Sequence, residues 1–147
     1  MKEKKSPNIM LDQEYPYPFQ KHLGFILTEW NYGYCHLELP LESFLMNMYG
    51  IPHGGIHATL FDTAIGYTGC YSNDPSDPRF TMTLNLGVNF VAKSKDDKLV
   101  VDAKQTGGSR QIYFAEGRAT DNHGSLIATG KGTFRYRTDQ KNAQVKN

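Results

Sequence analysis

Asn47-Met48-Tyr49-Gly50-Ile51-Pro52-His53-Gly54-Gly55-Ile56-His57-Ala58-Thr59-Leu60-Phe61-Asp62 is the stretch on which the reading of this chain turns. Pro52-His53-Gly54-Gly55 has the form of a turn that opens a helix. The first N–H groups of a helix have no intrahelical acceptor and can hold developing negative charge. Glycine there lets a ligand come close to the backbone. Asp62 sits two turns further in, and the Asn47 amide lies just upstream. An oxyanion site near a carboxylate suits acyl transfer.

Working outward, Gly55 to Cys70 reads as the one long helix. Ala58, Asp62 and Gly66 recur every four residues and share a face. Two of the three are small, so another backbone can approach Asp62 closely. Leu60, Ala64 and Tyr67 form a second face suited to a sheet. Upstream, Leu23 to Glu29 and Tyr34 to Leu39 suit two strands joined at Asn31-Tyr32-Gly33. Leu41 to Met48 reads as a helical turn and loop. Downstream, Ser72 to Pro78 is a loop by composition. Met82, Leu84, Leu86, Val88 and Phe90 then alternate with Thr81, Thr83, Asn85, Gly87 and Asn89, a period of two that marks a strand. Three more strands follow, Leu99 to Gln105, Gln111 to Thr120 and Leu126 to Arg137. Gly107-Gly108-Ser109 and Asp121-Asn122-His123-Gly124 are the turns between them. Short connections predict an antiparallel sheet, and one helix against it gives an α+β layer architecture. The domain is expected over residues 23–137, with an extended N-terminal arm over 1–22 and a polar tail over 138–147.

The 147 residues suffice for one domain with a full core. Sixteen Lys and Arg balance fifteen Asp and Glu, which gives no footprint for nucleic acid or for an anionic membrane surface. The charged start, Met1 to Ser6, is not followed by an apolar run, so no secretory leader is expected and the location expected is cytoplasmic. No apolar run is long enough for a membrane span. Cys35 and Cys70 form no C-x-x-C pair and read as two reduced thiols.

Gly54 and Asp62 are eight residues apart, about 12 Å along a helix. A carbonyl oxygen held by the Gly54 N–H would lie within about 3 Å of it. Asp62 of the same helix does not easily reach the same carbonyl carbon. If both act on one bond, two copies of the helix must lie side by side in opposite directions. The chemistry therefore predicts a homodimer with two shared sites.

Asn47, then His53-Gly54-Gly55, then Asp62 nine residues after His53, followed by the alternating strand Thr81 to Ala92 and by Ala128-Thr129-Gly130-Lys131-Gly132-Thr133-Phe134, resemble the hotdog-fold acyl-CoA thioesterases. The resemblance covers roughly Leu23 to Arg137 and falls in the branch typified by the phenylacetic-acid-degradation thioesterase. It implies one long helix wrapped by a curved antiparallel sheet, and hydrolysis of acyl-CoA to a free acid and CoA. Gly54 resembles the residue whose N–H polarises the thioester carbonyl. Asn47 resembles the side chain that helps bind that carbonyl or orients water. Asp62 resembles the catalytic carboxylate, contributed across a dimer interface, and Thr83 falls where relatives place a hydroxyl beside the attacking water. Pairing of dimers into tetramers is also implied. A thiol leaving group has a pKa of about 8.5, so it needs little help from a general acid. Direct attack by Asp62 and activation of water both remain open.

His53 and Gly55 flank Gly54 and are expected at the substrate, His53 also making a hydrogen bond at the helix start. No metal is expected: His53 and His57 are four apart, but Gly54 stands where the zincin pattern requires Glu. No cofactor is expected besides the CoA of the substrate. Its phosphates call for cations, and Arg110, beside the N–H groups of the Gly107-Gly108-Ser109 turn, comes before Lys131. Phe61, Met46, Phe44 and Met48 are candidates for an acyl pocket. Two rivals are a non-catalytic acyl-CoA-binding hotdog domain, which needs no Asp62, and a hotdog dehydratase or hydratase, which pairs a carboxylate with a catalytic His. Acyl-carrier-protein thioesters are a further possible substrate.

Overall fold

The computed structural model describes residues 16–74, 76–94 and 96–138. Its elements run α1 (Pro18–Leu23), β1 (Ile26–Asn31), β2 (Tyr34–Pro40), a single 3-10 turn (Ser43–Leu45), α2 (Gly54–Cys70), β3 (Thr81–Phe90), β4 (Lys98–Gly108), β5 (Ile112–Thr120) and β6 (Leu126–Tyr136). All six strands join one antiparallel sheet in the order β1-β2-β4-β5-β6-β3. Helix α2 packs against one face of it, touching every strand.

The arm expected to be extended over 1–22 ends in α1. Pro18 fits the first helical turn, Gly24 closes the helix at φ 88°, and Gln20 and Leu23 are buried. The earlier part of the arm and residues 139–147 of the tail lie outside the described residues. Strand β3 pairs with β6 and not with β4, the next strand in the chain. Residues 91–97 must therefore cross about three inter-strand spacings, roughly 14 Å, which seven extended residues span with length to spare.

The core face of α2 is His57, Leu60, Phe61, Ala64, Ile65, Thr68 and Gly69. That is the i, i+3, i+4 stripe of a helix packed on one side. It takes in Phe61 and Ile65, which the face expected from Leu60, Ala64 and Tyr67 leaves out. Against it the sheet presents Leu37, Leu39, Leu99, Val101, Ala103, Ala115, Ala119, Ile127, Ala128 and Phe134, all buried. The glycines of β5 and β6 make room for the ring of Phe61. A Cβ at Gly130 would come 2.5 Å from Phe61 Cγ, and one at Gly117 2.9 Å from its Cδ1. Gly130→Ala should therefore destabilise the domain by about 1–3 kcal/mol through overpacking. Urea unfolding reads this directly, and an unchanged midpoint would show that the Phe61 contact yields freely.

The alternation of β3 does not run through. Thr83 pairs with Phe134 and Asn85 with Thr133, which leaves Leu84 as an extra residue in a bulge. The bulge exchanges the two faces. Before it, Thr81 and Thr83 turn toward α2; after it, Leu86 and Val88 pack on the core. Met82 and Leu84 are each 53% exposed, although the apolar half of the period places them inside. The bulge thus sets two threonines, not two apolar side chains, against the small face of α2.

Candidate active site

His53 caps α2. Its Nδ1 accepts the Gly55 N–H (2.9 Å) and its carbonyl accepts the Ile56 N–H (2.9 Å). Among the described residues, the Gly54 N–H between them has no acceptor. A Cβ on Gly54 would meet the Phe90 ring at 3.3 Å, so glycine keeps this N–H open at a crowded position. Upstream, Leu45 to His53 doubles back: His53 N–H donates to the Leu45 carbonyl (2.9 Å), Asn47 N–H to that of Ile51 (2.8 Å), and Gly50, at φ 70°, makes the bend. The turn uses the Asn47 amide oxygen, which accepts the N–H groups of Tyr49 (2.9 Å) and Ile51 (3.4 Å). The Asn47 amide nitrogen has no acceptor among the described residues. Asn47 and Gly54 line one cavity of about 330 Å3 with His57, Phe90 and Ser94.

Asp62 projects from the half-exposed face of α2. Its Oδ1 accepts the Thr83 hydroxyl at 2.6 Å, a short charge-assisted hydrogen bond. The two residues line a different cavity, of about 360 Å3, walled by Trp30, Tyr67, Phe80, Phe134 and Arg79. Among the described residues, none is common to the two cavities. The structure thus brings Asn47 together with Gly54, and Asp62 together with Thr83, and leaves the two pairs apart within one chain.

His57 is buried, which pushes its imidazole below the usual histidine range, so it is neutral at pH 7. Its Nδ1 lies 3.3 Å from the His53 carbonyl and its ring meets the edge of Phe90. Both histidines are thereby engaged at the start of the helix. The other expected substrate contacts fall elsewhere. Phe61 is fully buried between α2 and the glycines of β5 and β6, so it belongs to the core and not to an acyl pocket. Lys131 lies on the opposite face of the sheet from α2, because its neighbours Gly130 and Gly132 are the ones that face Phe61 and Ile65. Arg110 is exposed, and Ser109 Oγ already accepts the Gln111 and Ile112 N–H groups of its turn (3.4 and 3.3 Å). Met46 is half-buried in the bridge to Pro52; Phe44 and Met48 are exposed. Gly55 is exposed beside His53.

Sequence reasoning missed the walls of the Asp62 cavity. Cys70 was within reach, since it continues the four-residue spacing of Asp62 and Gly66. Arg79 and Phe80 follow a Pro-rich loop and carry no periodic signal. Ser94 was missed too: its buried hydroxyl, without a partner among the described residues, borders the Gly54 cavity.

No family model matches the chain. Among solved structures, a thioesterase family protein from Silicibacter pomeroyi superposes with a TM-score of 0.73 at 23% identity, over 82% of this chain and 89% of that one. The E. coli PaaI protein, from the phenylacetic acid degradation operon, superposes with a TM-score of 0.75 at 16% identity, over 88% of each chain. In sequence, a "putative esterase" of Pseudomonas aeruginosa is 32% identical over 98 residues, which are 67% of this chain and 72% of that protein. The chain belongs to the family of this putative esterase and has the hotdog fold of those thioesterase structures. In this hotdog domain the curved sheet wraps α2, and β1 and β3 are its free edges. Among the described residues of the domain, no helix is long and apolar enough to cross a membrane.

Proposed function

We propose that the protein is an acyl-CoA thioesterase of the PaaI-like branch, acting as a homodimer in the cytoplasm. The observation that carries this reading is the split of four polar groups into two cavities. One offers two donors without acceptors among the described residues, the Gly54 N–H and the Asn47 amide. The other offers a carboxylate held by a hydroxyl. Donors of that kind stabilise the oxyanion that forms as a thioester carbonyl is attacked. A positioned carboxylate serves either as nucleophile or as the base that takes a proton from water. The attacking oxygen, of water or of Asp62, bonds to the carbonyl carbon. The tetrahedral intermediate then collapses, the C–S bond breaks, and CoA leaves as thiolate. Where Asp62 is the nucleophile, water then cleaves the acyl–Asp62 anhydride to the free acid.

A second copy supplies the missing half of each site. Strand β3 is a ten-residue free edge, and its exposed Met82 and Leu84 are features expected where another strand pairs. Two copies joined edge to edge in antiparallel fashion would set their α2 helices side by side, with Ala58, Asp62 and Gly66 of each half-exposed toward the other. Two such dimers would form the tetramer the resemblance implies.

The direct test is a panel of acyl-CoAs assayed for release of free thiol. The reading predicts turnover of at least one of them with no added metal; no release from any aryl, medium-chain or long-chain acyl-CoA would remove it. Thr83→Ala should cost about 10-fold in kcat with KM nearly unchanged, as expected for a hydrogen bond to a charged group. Thr83→Ser should keep most of the rate. Equal loss in both variants would show that the methyl group, not the hydroxyl, matters at this position.

A further inference from the structure

The cavity beside Asp62 has two unlike ends. Asp62, Gly66 and Cys70 follow one another along α2, while Thr83, Thr81 and Arg79 run beside them in the opposite direction. The Thr83 hydroxyl meets Asp62 (2.6 Å), and Thr81 Oγ1 meets both the Gly66 carbonyl and Cys70 Sγ (3.5 Å each). All six residues line the cavity, so Asp62 marks one end and Arg79 the other. The backbones of Asp62 and Cys70 lie about 12 Å apart along the helix, and the stretch from Arg79 to Thr83 spans about 13 Å where extended. The Arg79 guanidinium lies over the Tyr136 ring, 4.5 Å from its centre. Among the described residues no carboxylate stands within ion-pair distance of it. Trp30, Tyr67, Phe80 and Phe134 supply apolar wall between the two ends. A cation beside aromatic walls and without a counter-charge attracts an anion more strongly than it would in open water.

We propose that Arg79 selects acyl groups that end in a carboxylate. This rests on the thioesterase reading. The thioester lies at Asp62, the apolar middle of the acyl group crosses the aromatic wall, and the terminal carboxylate pairs with the guanidinium, whose planar fork suits it. The CoA monothioester of a six-carbon dicarboxylic acid, with about 6 Å between its two carboxyl carbons, is the probe of that span.

Adipyl-CoA and hexanoyl-CoA differ only in a carboxylate where the other has a methyl group. Each is titrated calorimetrically into Asp62→Asn protein, which keeps the cavity and spares the ligand, with Arg79 intact or replaced. With Arg79, adipyl-CoA should bind about 10-fold tighter or better. Arg79→Gln should abolish that preference and leave hexanoyl-CoA within about twofold, and Arg79→Lys should restore part of it. No preference with Arg79 present, or no binding of either ligand, overturns the proposal. So does an equal loss for both ligands in Arg79→Gln, which would make Arg79 a contact for the CoA phosphates. Binding is read without turnover. Selective binding of adipyl-CoA in a protein that releases no thiol would refute the hydrolase reading and leave the role of Arg79 standing.

Discussion

Asp62→Asn should lower turnover of the best acyl-CoA by about 100-fold or more, within the range for a positioned base or nucleophile. The substitution keeps the size of the side chain and removes its charge. The Asn oxygen can still accept the Thr83 hydroxyl, so the local hydrogen bond survives. Asp62 lies on the half-exposed face of α2 and not in the stripe that packs on the sheet, so thermal unfolding should be nearly unchanged. Rate and stability measured on the same preparation separate chemistry from folding. Turnover close to normal would move the chemistry to another residue. The geometry gives the dehydratase reading no support. That chemistry requires a His presented to the carboxylate, and His57 is buried, its Nδ1 3.3 Å from the His53 carbonyl and its ring against Phe90, while His53 Nδ1 accepts the Gly55 N–H.

The helix and its polar end were legible because they depend on local rules. Pro52-His53-Gly54-Gly55 carries local signals of a helix start, and the spacing of Ala58, Asp62 and Gly66 sets a face once the helix forms. The strands were legible too, to within a few residues at each end. Pairing was not. Nothing in Thr81 to Phe90 tells that its neighbour is β6, because the choice is made by how the sheet curls round α2. The bulge at Leu84 escaped for a related reason. Unbroken alternation in the sequence hides an inserted residue, and only the register against Phe134 and Thr133 reveals it. Yet that bulge is what turns Thr83 toward Asp62. Thr83 was placed by resemblance alone, and the structure supplies the contact.

The candidates that moved were those chosen by residue type. Phe61 suggested an acyl pocket as any aromatic near a site does, but it is one turn from His57 and Ile65 on the core stripe. Lys131 was chosen for its charge. Strand alternation, with Gly130 and Gly132 facing inward, sends it to the far side of the sheet. The walls of the Asp62 cavity come from β1, α2, β6 and the loop before β3, a combination that only the tertiary fold assembles.

The central claim is that each site takes Asn47 and Gly54 from one chain and Asp62 from its partner. Within a chain the two pairs line separate cavities, so neither completes a site by itself. Asn47→Ala removes a donor from one half, and Asp62→Asn removes the charge from the other; each homodimer should then be nearly inactive. A heterodimer of the two variants carries both defects in one site and neither in the other. Unfolding the variants together and refolding them makes about half the dimers mixed, each with one intact site of two. The most direct measurement is thiol release by this refolded mixture. The account predicts recovery to about a quarter of wild-type activity, assuming independent sites. A mixture no more active than its parts, with heterodimers confirmed by mass spectrometry, would contradict it.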